Sequence, residues 1–115
     1  MTEWKVRIMK HAEADIRAIH EYIVEELQEP DVANAQIKRI MDAILKLKDM
    51  PMRHMLYRKA PFGDIGLRFM PVGNFLVFYL PRDDIEIPTV AVLRVIYGKR
   101  NIDEQLSQTN LETTC

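Results

Sequence analysis

A chain of 115 residues is long enough for one domain of ordinary size and too short for two. With 48% hydrophobic and 29% charged residues it has the make-up of a globular protein with its own core, which excludes disorder of the whole chain. A formal net charge of -1 speaks against a general nucleic-acid binder, and the single cysteine, Cys115, allows no internal disulfide and gives no sign of an oxidising compartment.

The charge is unevenly spread. Residues 1–50 carry 8 basic and 10 acidic side chains, residues 51–100 carry 8 and 4, and residues 101–115 carry 0 and 3. A local basic surface built from the middle block is therefore compatible with the nearly neutral total. No apolar run approaches the roughly 20 residues needed to cross a bilayer, and MTEWKVRIMKHAEAD lacks a signal peptide's apolar stretch. The expected location is the cytoplasm, with no membrane partner.

In chain order, Trp4 to Met9 alternates apolar and basic side chains, the period of a half-buried strand with Trp4, Val6 and Ile8 on one face. From about His11 the period lengthens. Ile16, Ile19, Ile23 and Leu27 recur at three- and four-residue steps, which predicts an amphipathic helix that Pro30 brings to an end. Pro30 and Asp31 suit the first turn of a second helix, whose apolar stripe is Ile37, Ile40, Met41, Ile44 and Leu47 and whose end is Met50-Pro51. So short a connection predicts an antiparallel helical hairpin.

Residues 52–65 show no sustained period and contain Pro61 and Gly63, which predicts mostly loop. Residues 66–72 and 75–80 flank Gly73-Asn74, a hairpin turn signal, and Pro88 to Tyr97 is a third apolar run rich in β-branched residues. Asn101 can cap a short last helix, and a polar, flexible tail is expected over residues 108–115. The predicted fold is α+β, a single domain over residues 1–107 of order β-α-α-β-β-β, its helical hairpin packed on one face of a mostly antiparallel sheet.

Four stretches carry a family resemblance: "AEADIRAIHEYI", "PDVANAQIKRIMDAILKLKDMP", "GLRFMPVGNFLVFY" and "VLRVIYGKRNI". Each alone is little more than a helix or strand pattern. Their succession from about Trp4 to Leu106, closing on an arginine-bearing strand and a Gly-Lys-Arg turn, resembles the RelE/ParE superfamily of toxins from type II toxin-antitoxin systems. The resemblance implies a bacterial growth inhibitor held inactive by a cognate antitoxin. RelE-like members cut mRNA on the ribosome, whereas ParE-like members inhibit DNA gyrase, so the site and not the fold must decide between them.

Metal-independent RNA cleavage needs a base, an acid and cations that stabilise a charged phosphorane. The resemblance places the polar groups of a RelE-like centre at Gly66, Leu76, Leu106 and Arg100, and only Arg100 keeps its type. A second nuclease pattern could use Arg68, but it needs a histidine near the terminus and none follows His54. The ParE-like reading, a binding protein acting on gyrase, is therefore favoured. The alternatives are a ribosome-dependent mRNA endonuclease using Arg68, Tyr97, Lys99 and Arg100, and a binding module on the same fold that has lost toxicity.

Arg68, Arg94, Tyr97, Lys99 and Arg100 are the candidate contacts for antitoxin or target. Tyr97 beside Lys99 and Arg100 offers a stacking surface next to two phosphate-seeking cations, though an amphipathic tyrosine closing a core edge explains it as well. Arg68 and Arg94, set in apolar strands, either reach an open face or pair with an acid such as Asp15 or Glu21. The expected dock is an apolar stripe between the helical hairpin and the sheet, with Arg68, Arg94 and Arg100 as acceptors for the antitoxin's flexible segment. His11, Asp15 and His20 lack metal-ligand spacing, so neither metal nor cofactor is expected.

Overall fold

A computed structural model describes residues 4–59 and 62–108, which leaves Ala60, Pro61 and most of the expected tail outside the described residues. The elements are β1 (Lys5–Ile8), α1 (Lys10–Glu25), α2 (Pro30–Leu45), β2 (Met55–Leu56), β3 (Arg68–Val72), β4 (Phe75–Arg82), β5 (Thr89–Tyr97) and α3 (Ile102–Ser107). Short 3-10 turns at Lys46–Lys48, Pro51–Arg53 and Phe62–Ile65 fill the connections. The order is the one expected, with β2 added inside the stretch read as loop.

Both helices of the hairpin end for local reasons. Gln28 takes a left-handed backbone (φ 54°), which lets the Glu29 N–H return to the Ile23 carbonyl at 3.1 Å and close α1. Pro30 then opens α2, where its missing N–H costs nothing, and Ala33 N–H reaches back to Glu29 O at 2.9 Å. Ala12 and Ala33 are fully buried, the small residues that allow close helix packing.

The five strands form one sheet in the order β1-β5-β4-β3-β2. β1 runs parallel to β5, from Lys5 opposite Thr89 to Ile8 opposite Val92, and the other pairs are antiparallel. Gly73, with φ 59°, makes the tight β3-β4 turn. Between β4 and β5 the register slips: Phe78 faces Arg94 while Tyr79 faces Val92, so Leu93 is the extra residue of a β-bulge.

Both faces of the sheet are covered. On the helical side Ala12, Ile40, Ile44 and Leu47 pack on Val77, Tyr79, Val92 and Val95, with Trp4, Val6 and Ile8 at the margin as the alternation implied. On the opposite side Phe62, Leu67 and Leu106 pack on Phe78, Leu80, Leu93 and Ile96. The helical hairpin covers one face, as expected, and Tyr57, Phe62, Leu67 and α3 cover the other. Tyr57, Phe62 and Leu67 follow no period, because tertiary contacts place them. Tyr57 donates its N–H to Leu67 O (2.8 Å) and sets its ring edge-on to Phe69 and Phe78 at 6.0 and 5.4 Å.

One side-chain group holds the edge of this sheet. β1 pairs with β5 only as far as Val92, and beyond it the Val95 N–H finds no strand; the carboxylate of Asp15 on α1 accepts it at 2.9 Å. Arg94 binds the same carboxylate with two donors, Nε at 2.7 Å and Nη2 at 3.0 Å, and gives Nη1 to the Gln105 carbonyl of α3 at 2.8 Å. Only 10% of the Arg94 side chain and 17% of the Asp15 side chain are exposed, so removing either partner strands a buried charge. Asp15→Ala is expected to cost about 3–5 kcal/mol, the usual penalty for breaking such a pair. Urea denaturation measures it, and an unchanged midpoint would show that the pair does not hold the edge.

Candidate functional site

Where β1 stops short and α1 crosses the sheet edge, a groove of about 650 Å³ opens between the helical hairpin and the far end of β5. Ile19, Tyr22, Ile23 and Leu27 form its helical wall, and Phe75 with Val95, Ile96 and Tyr97 its sheet wall. Asp15, Arg94 and Gln105 lie at one end, and Gln36, Asn74 and Arg100 complete the lining. Tyr22 and Leu27 stand more than half exposed, large apolar surface offered to solvent.

The rim at the end of β5 is rigidly built. Tyr97 packs edge-on to Phe75 at 5.8 Å, Gly98 N–H binds Asn74 O at 2.9 Å, and Arg100 N–H closes the turn on Tyr97 O at 3.0 Å. A Cβ on Gly98 would lie 3.3 Å from the Asn74 carbonyl oxygen, so glycine is what lets the turn approach β4 this closely. Lys99 and Arg100 extend from it into solvent. Beside the groove the Gln36 side-chain nitrogen is buried without a hydrogen-bond partner among the described residues, while its oxygen lies 3.5 Å from Arg39 Nη1.

The five candidate contacts separate. Arg94, Tyr97 and Arg100 meet in the groove and Lys99 sits beside it on the turn. Arg94 is not an open-face cation: of the two readings given it, pairing with Asp15 is the one present. Arg94 and Ile96 face one side of β5 and Val95 and Tyr97 the other, since their β4 partners Phe78 and Leu76 lie in or against the second core and Val77 and Phe75 in or against the first. Arg68 lies outside the groove and cannot join Arg94 and Arg100 in one dock. Its guanidinium binds Met52 O at 2.9 Å and His54 O at 2.6 Å, pinning the chain that precedes β2.

The positions that would hold RelE-like catalytic groups are structural here. Gly66 has φ 83°, Leu76 packs against the second core, and Leu106 is fully buried within it. His20 meets Asn34 at 2.9 Å and Asp15 is committed to Arg94, and among the described residues no cluster of three potential ligands could hold a metal ion. No helix of the described residues is long and apolar enough to cross a membrane.

Sequence reasoning missed the groove residues Tyr22 and Gln36 and a second polar cluster. Tyr22 could have been noticed as an aromatic outside the apolar stripe of α1. The cluster joins elements far apart: Tyr57 donates its hydroxyl to Asp103 at 2.5 Å and Lys59 reaches the same carboxylate at 3.2 Å, tying the long loop to α3. Partial burial, then the bond to Asp103, pushes the Tyr57 phenol up from 10 to about 12. The bond from Tyr57, then that from Lys59, holds the Asp103 carboxyl below the ordinary carboxylate value.

The geometry can be set beside known proteins. A family model described as the ParE toxin of type II toxin-antitoxin system, parDE, matches residues 6–102. Among solved structures, the chromosomal ParDE toxin-antitoxin system from P. aeruginosa contains a chain similar in fold, with a TM-score of 0.65 and 17% identity over 83% of this chain and 96% of that one. The toxin-antitoxin complex RelBE2 from Mycobacterium tuberculosis contains another, with a TM-score of 0.59 and 19% identity over 84% of this chain and 99% of that one. No curated protein matches the chain at a significant level.

The Tyr57 cluster predicts a pH dependence of definite sign. A phenol raised from 10 to about 12 stabilises the fold fully below pH 10 and loses that contribution as pH rises through about 12. Asp103 works oppositely, its contribution present above the ordinary value of 3.8 and lost as pH falls through its lowered folded value. Denaturant midpoints across the alkaline range are therefore expected to fall less steeply in Tyr57→Phe than in the parent chain. Equal slopes would detach Tyr57 from this linkage.

Proposed function

The chain belongs to the ParE toxin family of type II toxin-antitoxin systems, and from that premise we propose that it is a growth inhibitor that binds DNA gyrase and is neutralised by a cognate antitoxin seated in the groove between α1 and β5. The observation that carries this reading is the character of the groove. It is walled by apolar side chains and lined by a few polar groups, among them the Gln36 amide and the Arg100 guanidinium. That combination suits an extended or helical peptide with apolar anchors and acidic flanks. The solved relatives from P. aeruginosa and M. tuberculosis are toxin-antitoxin systems, which supports a protein partner for this chain as well.

Action through binding is further supported by what stands at the nuclease positions. Gly66, Leu76 and Leu106 bring no proton donor or acceptor to Arg100, and a lone arginine can stabilise a phosphorane but cannot move protons on and off it. The competing reading, a ribosome-dependent mRNA endonuclease, would have to rely on Tyr97, Lys99 and Arg100 at the exposed rim.

Three measurements test the proposal. Purified protein is expected to inhibit gyrase-catalysed supercoiling, and transcripts in arrested cells should remain intact. Cleaved transcripts that become intact with Arg100→Ala would replace the gyrase reading with the nuclease one. Tyr22→Glu, which places a charge on the exposed groove wall, is expected to weaken antitoxin binding by about tenfold or more while leaving the thermal midpoint within a few degrees. Unchanged affinity would move the antitoxin elsewhere.

A further inference from the structure

Farther along α2 from the groove lies a second cleft, of about 410 Å³, between the C-terminal half of that helix and β3. Arg39, Lys46 and Arg53 stand around it. Ala43, Leu47, Met70 and Pro71 give it an apolar floor. We propose that this cleft binds the phosphate group of a nucleotide unit, with Arg39, Lys46 and Arg53 as its ligands and the apolar floor beneath the sugar or base.

The charge of the cleft is the first reason. Neither Lys46 nor Arg53 has an ion-pair or side-chain hydrogen-bond partner among the described residues, and Arg39 makes only a long 3.5 Å contact to Gln36. The single carboxylate in the lining, Asp42, is already bound by Lys38 at 3.0 Å. Three cations around one cleft, against a single carboxylate already paired with Lys38, leave it net positive, and an anion offsets that charge.

Positioning is the second reason. Arg53 is held at the cleft because Arg68 binds the carbonyls on either side of it, Met52 at 2.9 Å and His54 at 2.6 Å. Tyr79, fully buried, fixes the same turn by donating its hydroxyl to Pro51 O at 2.6 Å. Arg68 thus acts as a positioning residue. His54, edge-on to Tyr79 at 6.2 Å, lines the cleft, and burial, then Arg53, then Arg68 lower its pKa below 6.5, so at neutral pH it is an uncharged donor or acceptor.

The type of anion follows from shape. A carboxylate offers two oxygens in one plane, which a single guanidinium fork satisfies. Three cations from separate elements, two of them forks, fit the three outward oxygens of a tetrahedral phosphate better. The volume and apolar floor leave room for more than the phosphate itself. The cleft shares no lining residue with the α1-β5 groove, so the inference stands apart from the proposed action on gyrase.

Calorimetric and NMR titration of the full chain with inorganic phosphate, adenosine monophosphate and a short single-stranded RNA tests the site and separates its two sources of ligand. Binding of the mononucleotide would identify a free nucleotide, and binding of RNA alone would identify a strand phosphate; either supports the proposal if His54 resonances move and Lys46→Ala weakens binding about tenfold or more. Lys46 is exposed, so that variant leaves the fold intact. Arg53→Ala should repeat the loss, Arg53→Lys should restore part of it, and Lys10→Ala, outside the cleft, should change affinity little. No binding by any of the three probes, equal affinity in Lys46→Ala, or tighter binding of an acidic peptide than of RNA would each overturn the proposal.

Discussion

The fold turns on a carboxylate that stands in for a strand. β1 is four residues long and leaves one edge of β5 without a strand beyond Val92, yet β5 continues to Tyr97. An unpaired edge invites other chains, and a longer β1 would be the simple remedy. Asp15 accepts the Val95 N–H instead, and its charge is then compensated by Arg94. Because Arg94 also holds the Gln105 carbonyl, one buried contact fastens α1, β5 and α3 together.

That solution creates the groove as a by-product. A β1 extended along β5 would fill the space now bounded by Val95, Tyr97 and the α1 face. A short β1 with a side-chain cap keeps the edge quiet in hydrogen-bonding terms and still leaves the apolar walls open. The bulge at Leu93 contributes to the same end. It places Leu93 and Arg94 toward the second core, so that Arg94 can reach α3 while Val95 and Val92 stay in the first.

Much of this architecture was legible in the sequence because it rests on local periodicity. The three-four spacing in α1 and α2, the alternation in β1 and the Gly73-Asn74 turn each declare an element without reference to the rest of the chain. The parallel pairing of β1 with β5 has no such local signal, since it joins segments about 80 residues apart and depends on which strand edge remains free. Tyr57, Phe62 and Leu67 were missed for a related reason: they pack in or against the second core without a period, recruited by the apolar face of β4. At the site, Arg94 could be read as paired or free, and only the position of Asp15 one turn into α1 decides it. Arg68 looked like a companion of Arg94 because both sit in strands, but β3 lies two strands from β5 and the two guanidinium groups serve different loops.

The displaced ionisable groups share one tendency. General acid-base catalysis draws pKa values toward neutrality, so that a group can both give and take a proton at working pH. Here the displaced groups move the other way. Burial carries Tyr57 and Tyr79 up to about 12, hydrogen bonds carry Asp84 and Asp103 down, and His54 falls below 6.5. Each is being fixed in one protonation state: the tyrosines as donors, the aspartates as acceptors, the histidine as a neutral ring. Groups fixed in this way define surfaces of constant charge and shape.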